Sequence, residues 1–231
     1  VEAAILAVGL VIGFTIFGIF FFQTRSQNDT IGVVGSATKR FEADIVKWRI
    51  TFGRTAELSD LQSGYVKMQR DLQLIRDQLK QNNISEQDLT LQPVTTNPNY
   101  SQYGQISSYN LTQSIFLISK DIPMVEKMAL NPSKLFEEGI ILHGSYLEYY
   151  NSNIADIKRE LLAEATKDAR ARAEEIAKNS GVNIAKVMAA RVGVFQITEP
   201  YSTEISDYGM YSTSTRVKDI TVTVRMTFGI D

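Results

Sequence analysis

The stretch NIADIKRELLAEATKDARARAEEIAKNSG, residues 153–181, decides how this chain is read. Ile154, Ile157, Leu161, Ala165, Ala169, Ala173 and Ile176 recur every three or four residues, which is one face of an amphipathic helix over 153–180. Lys158, Glu160, Glu164, Lys167, Arg170, Glu174 and Lys178 form the opposite, solvated face. Ala163, Ala165, Ala169, Ala173 and Ala177 keep the helix slim, so that a neighbour can approach closely. Gly181 closes it, because glycine enters the left-handed conformation beyond a helix end at little cost.

Strands flank this helix. Ile140–Tyr150 precedes it and Ile184–Ile197 follows, and a last strand, Arg216–Phe228, turns Ile220, Val222, Val224, Met226 and Phe228 inward. Upstream, after a strand at Ile31–Ala37, Asp44–Arg54 alternates with Val46, Trp48, Ile50 and Phe52 on one face, the pattern of a half-buried strand. Ser59 and Gln62 have capping-box spacing and open a helix with Leu61, Tyr65, Met68, Leu72, Ile75 and Leu79 on one side. Its three heptads are too few to prefer a coiled coil over core packing. Ile84–Val94 and Tyr109–Ile118 read as strands around a polar loop, Asn97–Ser108. Ile122–Glu138, broken by Pro123 and Pro132, predicts one or two short helical turns, and Pro200–Thr215 is a second polar loop.

Residues 44–118 and 140–228 therefore share one order: strand, long helix, strand, tyrosine-rich loop, strand. A single-helix crossover makes its flanking strands parallel, and each hairpin adds an antiparallel partner. The expected fold is α+β, a mixed β-sheet with two long helices packed on one face, a two-layer sandwich.

The N-terminus is of another kind. From Ala3 to Phe22 the only polar side-chain group is the Thr15 hydroxyl, over 20 residues; as a helix this run is ~30 Å long, the thickness of a bilayer core. A buried core helix is rarely apolar all round at this length. A signal peptide has a shorter apolar region and a small-residue cleavage site, which Phe20, Phe21 and Phe22 do not offer. The expectation is one transmembrane helix preceding the domain: an anchor at 1–23 touching the lipid bilayer through residues 3–22, a juxtamembrane linker at 24–30, and the α+β domain at 31–231. Gly9 and Gly13 form a GxxxG pair that lets membrane helices approach, or are incidental glycines of such a helix. The visible charges, Arg25, Lys39 and Arg40 after the anchor, run mildly against placing the domain outside the cytoplasm.

Composition narrows the chemistry. Lys and Arg number 24 against 26 Asp and Glu, so no charge excess steers nucleic acid, and the absence of cysteine excludes disulfides and thiolate chemistry. His143 is the only histidine, too few for a metal cluster. Glu160, Glu164 and Asp168 lie on helical spacing that could serve acid–base work, but beside Lys167, Arg170 and Arg172 they read as a solvated salt-bridge face. There is no phosphate-binding glycine loop, nucleophile elbow or HExxH helix. The expectation is a protein that is not an enzyme and takes no cofactor or metal. Tyr100, Tyr103 and Tyr109 in the first loop, and Tyr201, Tyr208 and Tyr211 in the second, stand among Ser, Asn and Gly, the composition of adaptable contact loops; they read as contacts between copies of the chain, as a membrane-facing rim, or as flexible polar hairpins. If the two halves are structural equivalents, both loops project from the same end of the sheet.

The opening Ile31-Gly-Val-Val-Gly-Ser-Ala37, Asp44 leading into the Trp48 strand, and Ile84-Ser-Glu-Gln-Asp-Leu-Thr90 precede the strongest element. That element is Ala165-x-x-Asp168-Ala169-x-x-Arg172-Ala173-x-x-x-Ala177-x-x-x-Gly181, with Val187 and Val192 beyond it. In this order, over residues 31–228, these pieces resemble the SIMPL-domain family of bacterial envelope proteins, members of which are linked to oxidative-stress defence. The resemblance implies an extracytoplasmic domain that assembles into ring- or cage-like homo-oligomers with a scaffolding role and no established catalytic activity. Trp48, Asp168 and Gly181 fall in its motifs as structural positions. Many relatives carry a cleaved signal, whereas this chain reads as a single-pass protein of the bacterial inner membrane with itself as partner. Two other readings remain open: a monomeric, tethered ligand- or partner-binding module, and a hydrolase without a recognisable motif.

Overall fold

The computed structural model describes residues 2–25 and 29–231, with side chains in the first helix described from 7 to 21. The helices are α1 (Glu2–Arg25), α2 (Leu61–Gln81), α3 (Ile122–Leu130), α4 (Ser133–Glu137) and α5 (Ile154–Ser180). The strands are β1 (Thr30–Glu42), β2 (Ile45–Glu57), β3 (Leu89–Leu91), β4 (Thr95–Tyr100), β5 (Ile106–Ser119), β6 (Leu142–Tyr150), β7 (Ile184–Val192), β8 (Gln196–Thr198), β9 (Met210–Tyr211) and β10 (Val217–Ile230).

The fold is α+β, but the single mixed sheet with two helices on one face is corrected: among the described residues there are two five-stranded sheets. One runs β3-β5-β2-β6 with β4 also on β5; the other runs β1-β10-β8-β9 with β7 also on β10. The reason lies in the connections. β2 and β3 do point the same way, since both run antiparallel to β5, but β5 returns between them. The second crossover leaves its sheet altogether: β6 pairs with β2, while β7 after α5 pairs with β10.

The expected transmembrane helix is corrected as well. Among the described residues no helix is long and apolar enough to cross a membrane. The side chains of positions 3–6 and 22, and residues 26–28 of the proposed linker, lie outside the described residues.

The chain forms two compact units. The first comprises Val1–Ala37, Leu162–Gly193 and Thr223–Asp231. Here β10 pairs antiparallel with β7, Val224 opposite Val192 and Ile230 opposite Ile184, and Val224, Met226 and Phe228 are buried as the alternation requires. The alanine stripe of α5 is buried at Ala165, Ala169, Ala173 and Ala177, whereas Ile176 lies exposed. Gly35 of β1 meets that stripe: a Cβ there would stand 2.3 Å from the Ala165 carbonyl oxygen and the Ala169 nitrogen. The helix ends as a Schellman-type turn, with Val182 N–H donating to Ala177 O at 3.0 Å and Gly181 at φ +72°.

The second unit comprises Thr38–Leu161 and Val194–Val222. Its core is built on Val46, Trp48, Ile50 and Phe52 of β2, with Leu111, Ile115 and Leu117 of β5 beside them and Met68, Ile75 and Leu79 of α2 packed over them. Two of the expected boundaries shift. No side-chain capping bond forms at the start of α2, which follows a 3₁₀ turn at Leu58–Asp60. The strand expected over Ile84–Val94 shrinks to β3, because a second 3₁₀ turn, capped by Ser85 on the Gln87 N–H, occupies Glu86–Asp88. A buried ion pair also crosses this core: Arg54 Nε donates to Asp71 Oδ2 at 2.5 Å and its Nη2 to Oδ1 at 2.8 Å, with Asp71 only 1% exposed.

Candidate assembly surfaces

The six tyrosines singled out in the sequence divide by environment, all within the second unit. The first polar loop is half strand: β4 pairs with β5 from Thr95 opposite Thr112 to Tyr100 opposite Ile106, leaving a five-residue turn at 101–105. Pro98 is compatible with this because β4 pairs only with β5, and an edge strand tolerates a missing N–H. The turn is closed by Ser101 N–H to Gln105 O at 2.7 Å, with Gly104 at φ +76°. Tyr100 and Tyr103 stand at its tip, 63% and 83% exposed, beside the partly open Ile106. Tyr109 is not at the tip; it is half-buried within the sheet, opposite Pro98 on one side and Ala56 on the other.

The second loop is folded by its own side chains. Gln196 donates from Nε2 to Ser206 O at 2.6 Å and accepts from the Ser206 N–H at 3.4 Å. The two-residue β9 lies parallel to β8, and Ser212 N–H donates to Ile197 O at 2.8 Å. Glu199 accepts from the hydroxyls of Ser212 and Ser214, and these bonds pull its carboxyl down to about 2. Lys218 is fully buried, its ammonium donating to Thr215 O. Burial lowers that ammonium to about 8, partly countered by Glu199. Beside them the Tyr149 hydroxyl donates to Glu126 at 2.8 Å, and burial together with that carboxylate pushes its phenol up to about 12.

On this base the loop's tyrosines take three roles. Tyr201, at φ +64°, lies under the Arg40 guanidinium at 4.6 Å, while Arg40 also holds Asp219 through two bonds of 2.8 and 2.9 Å. Tyr211 rests against Tyr150, ring centroids 6.2 Å apart. Tyr208 is 97% exposed and its neighbour Ile205 83% exposed. Both stand out into solvent.

The two tips lie at opposite ends of β2, which corrects the expectation that they share one end. The β4–β5 turn follows the pairing of Glu57 with Ser108. The second loop is tied to the other end, where Ile45 pairs with Tyr150 and Tyr149 N–H donates to Thr213 O at 2.8 Å. From residue 45 to 57 a strand spans about 40 Å at 3.3 Å per residue. Equivalence of the halves fails here because β2, not β10, is the strand that β6 joins.

The remaining candidates have local accounts. Trp48 is buried and donates from Nε1 to Ser145 Oγ at 2.9 Å. Asp168 accepts from the Ser36 N–H and from Arg172 Nε, both at 2.8 Å, which holds its carboxyl below the usual range. Glu160 pairs with Lys39 at 2.5 Å. The His143 ring fills the space a Cβ on Gly53 would take. At Gly9 and Gly13 of α1 an added Cβ would meet nothing within 4 Å. Among the described residues no group of three or more His, Cys, Asp or Glu is placed to hold a metal ion.

Sequence reasoning missed Lys218 and Asp71, although the pattern contains both. Lys218 shares the inward parity of Ile220, Val222 and Val224, and Asp71 sits three residues after Met68 and four before Ile75 on the apolar face of α2.

Comparison with family models matches residues 31–228 to SIMPL, described as a protein of unknown function (DUF541). No curated protein matches the chain.

Proposed function

We propose, from the premise that this chain belongs to the SIMPL family, that its α+β domain is a scaffolding module that assembles head to tail with copies of itself into a closed ring. The observation that supports this reading is the pair of exposed aromatic tips at opposite ends of β2. A ring needs two different surfaces on each subunit, one meeting the other on its neighbour. Tips at the same end would instead favour a two-fold pair. Tyrosine anchors ringed by serine and asparagine have the composition of contact hot spots with an adaptable surround.

The test uses one variant per tip: Tyr100→Ser with Tyr103→Ser, and Ile205→Ser with Tyr208→Ser. Tyr211 and Tyr201 are left in place because each packs on its own fold. Particle mass is measured by light scattering after size exclusion. Each variant alone should run as a monomer, and an equimolar mixture should form a dimer and nothing larger, since only one complementary pair of tips survives. Large particles from either variant alone, with the fold intact, would exclude the tips as the interface.

A further inference from the structure

A cleft of about 320 Å³ opens in the second unit where the C-terminal part of α2, the end of α3 and α4 meet over β2. Its size lies at the lower end of the ~300–1,000 Å³ typical of small-molecule sites. The floor is apolar: Trp48 and Ile50 from the strand, Ile75 and Leu79 from α2, Met128 and Leu135 from α3 and α4. The rim is polar and of one sign. Lys127 and Lys134 line it and no carboxylate does. Among the described residues neither ammonium is engaged in an ion pair, whereas Glu126 next to Lys127 is already taken by the Tyr149 hydroxyl. The backbone ends nearby are largely satisfied, as Asn82 caps Leu79 and Lys80 while Asn131 N–H returns to Met128 O. The amide of Asn131 and the hydroxyl of Ser133, also in the lining, make no side-chain hydrogen bond to any described residue.

We propose that this cleft binds a small amphipathic carboxylate, with a medium-chain hydrocarbon tail on the Trp48 floor and the carboxylate held at the mouth by Lys127 and Lys134. An apolar floor alone selects any hydrophobic molecule of fitting size. Two unpaired cations on a rim that no carboxylate lines add the sign: they reward an anionic head, leave a neutral one without their ionic contact and repel a cationic one. Asn131 and Ser133 supply donors for a second carboxylate oxygen.

Trp48 is the only tryptophan of the chain, so its emission reports this cleft and nothing on α1. The protein is titrated with decanoate, decanol and decyltrimethylammonium below their aggregation concentrations. Decanoate should change the Trp48 emission saturably and bind at least tenfold more tightly than either analogue. The double variant Lys127→Met, Lys134→Met should lose most of that preference while still responding to decanol. Met128→Trp, which fills the cleft, should abolish displacement of a fluorescent fatty-acid analogue. A non-saturating response, equal affinity for the three probes, or an unchanged decanoate affinity in the lysine variant would each overturn the proposal.

Discussion

Replacing Lys218 by methionine should remove a specific pH dependence of folding. The side chain is fully buried, and burial holds its ammonium at about 8 against an ordinary 10.5. Below pH 8 both folded and unfolded chains carry the charge, and the folded one bears the whole desolvation cost. Between 8 and 10.5 the unfolded chain keeps a proton the folded chain has released, so stability rises with pH across that window. From pH 8 to 10 the gain is about 2 kcal/mol, since a full one-proton difference between the two states is worth ~1.4 kcal/mol for each step of one in pH. The phenol of Tyr149 works in the opposite direction, since its raised value favours the folded state only until pH climbs from 10 towards about 12. The window from 8 to 10 is therefore the clean one. Urea unfolding followed by circular dichroism at pH 8, 9 and 10 reads it directly. Lys218→Met also loses the bond to Thr215 O, so the slope, not the absolute value, decides. A wild-type stability that stays level or falls between pH 8 and 10, or a methionine variant that keeps the rise, would refute the reasoning.

Arg54→Met strands the Asp71 carboxylate in the core and should cost about 3–5 kcal/mol, read as a large drop in Tm; a change under about 1 kcal/mol would mean that water reaches Asp71. Gly35→Ala places a Cβ against the α5 backbone and should destabilise by about 1–3 kcal/mol, with equilibrium denaturation as the check and an unaltered midpoint as the contrary result. At Gly181 no atom lies within 4 Å of an added Cβ, so Gly181→Val should cost only the left-handed conformation, on the order of 1–2 kcal/mol. Gly181→Asn should recover part of that in the same melting experiment, because asparagine tolerates the left-handed region; equal losses for the two would point to a clash instead.

The strands and helices with strong periodicity are legible in the chain. Val46 to Phe52 and Ile220 to Phe228 alternate because each strand has one buried face, and the α5 alanines recur because a strand presses on them at Gly35. Pairing is less legible. Periodicity shows which face of β2 is buried and does not show that β6 lies beside it, so the pattern suggests one sheet where there are two. The first tyrosine loop reads as irregular because Asn97-Pro98-Asn99 has turn composition, although an edge strand accepts it. For the assembly surfaces, composition points to the exposed segments. Which tyrosines stand free depends on partners distant in sequence, Arg40 for Tyr201 and Tyr150 for Tyr211. The cleft over Trp48 has no sequence signal, since its lining residues come from β2, α2, α3 and α4.

The bonds that Gln196 and Glu199 make across the second loop bear on how anything can dock there. A loop of that length left free would lose backbone and side-chain entropy on meeting a partner, and the loss would subtract from affinity. Here Ser206, Ser212 and Ser214 are already fastened, so the ordering cost falls on folding and not on association. Tyr208 is thereby presented on a preorganised platform, and a partner closing over it loses little beyond the rotamers of the ring itself.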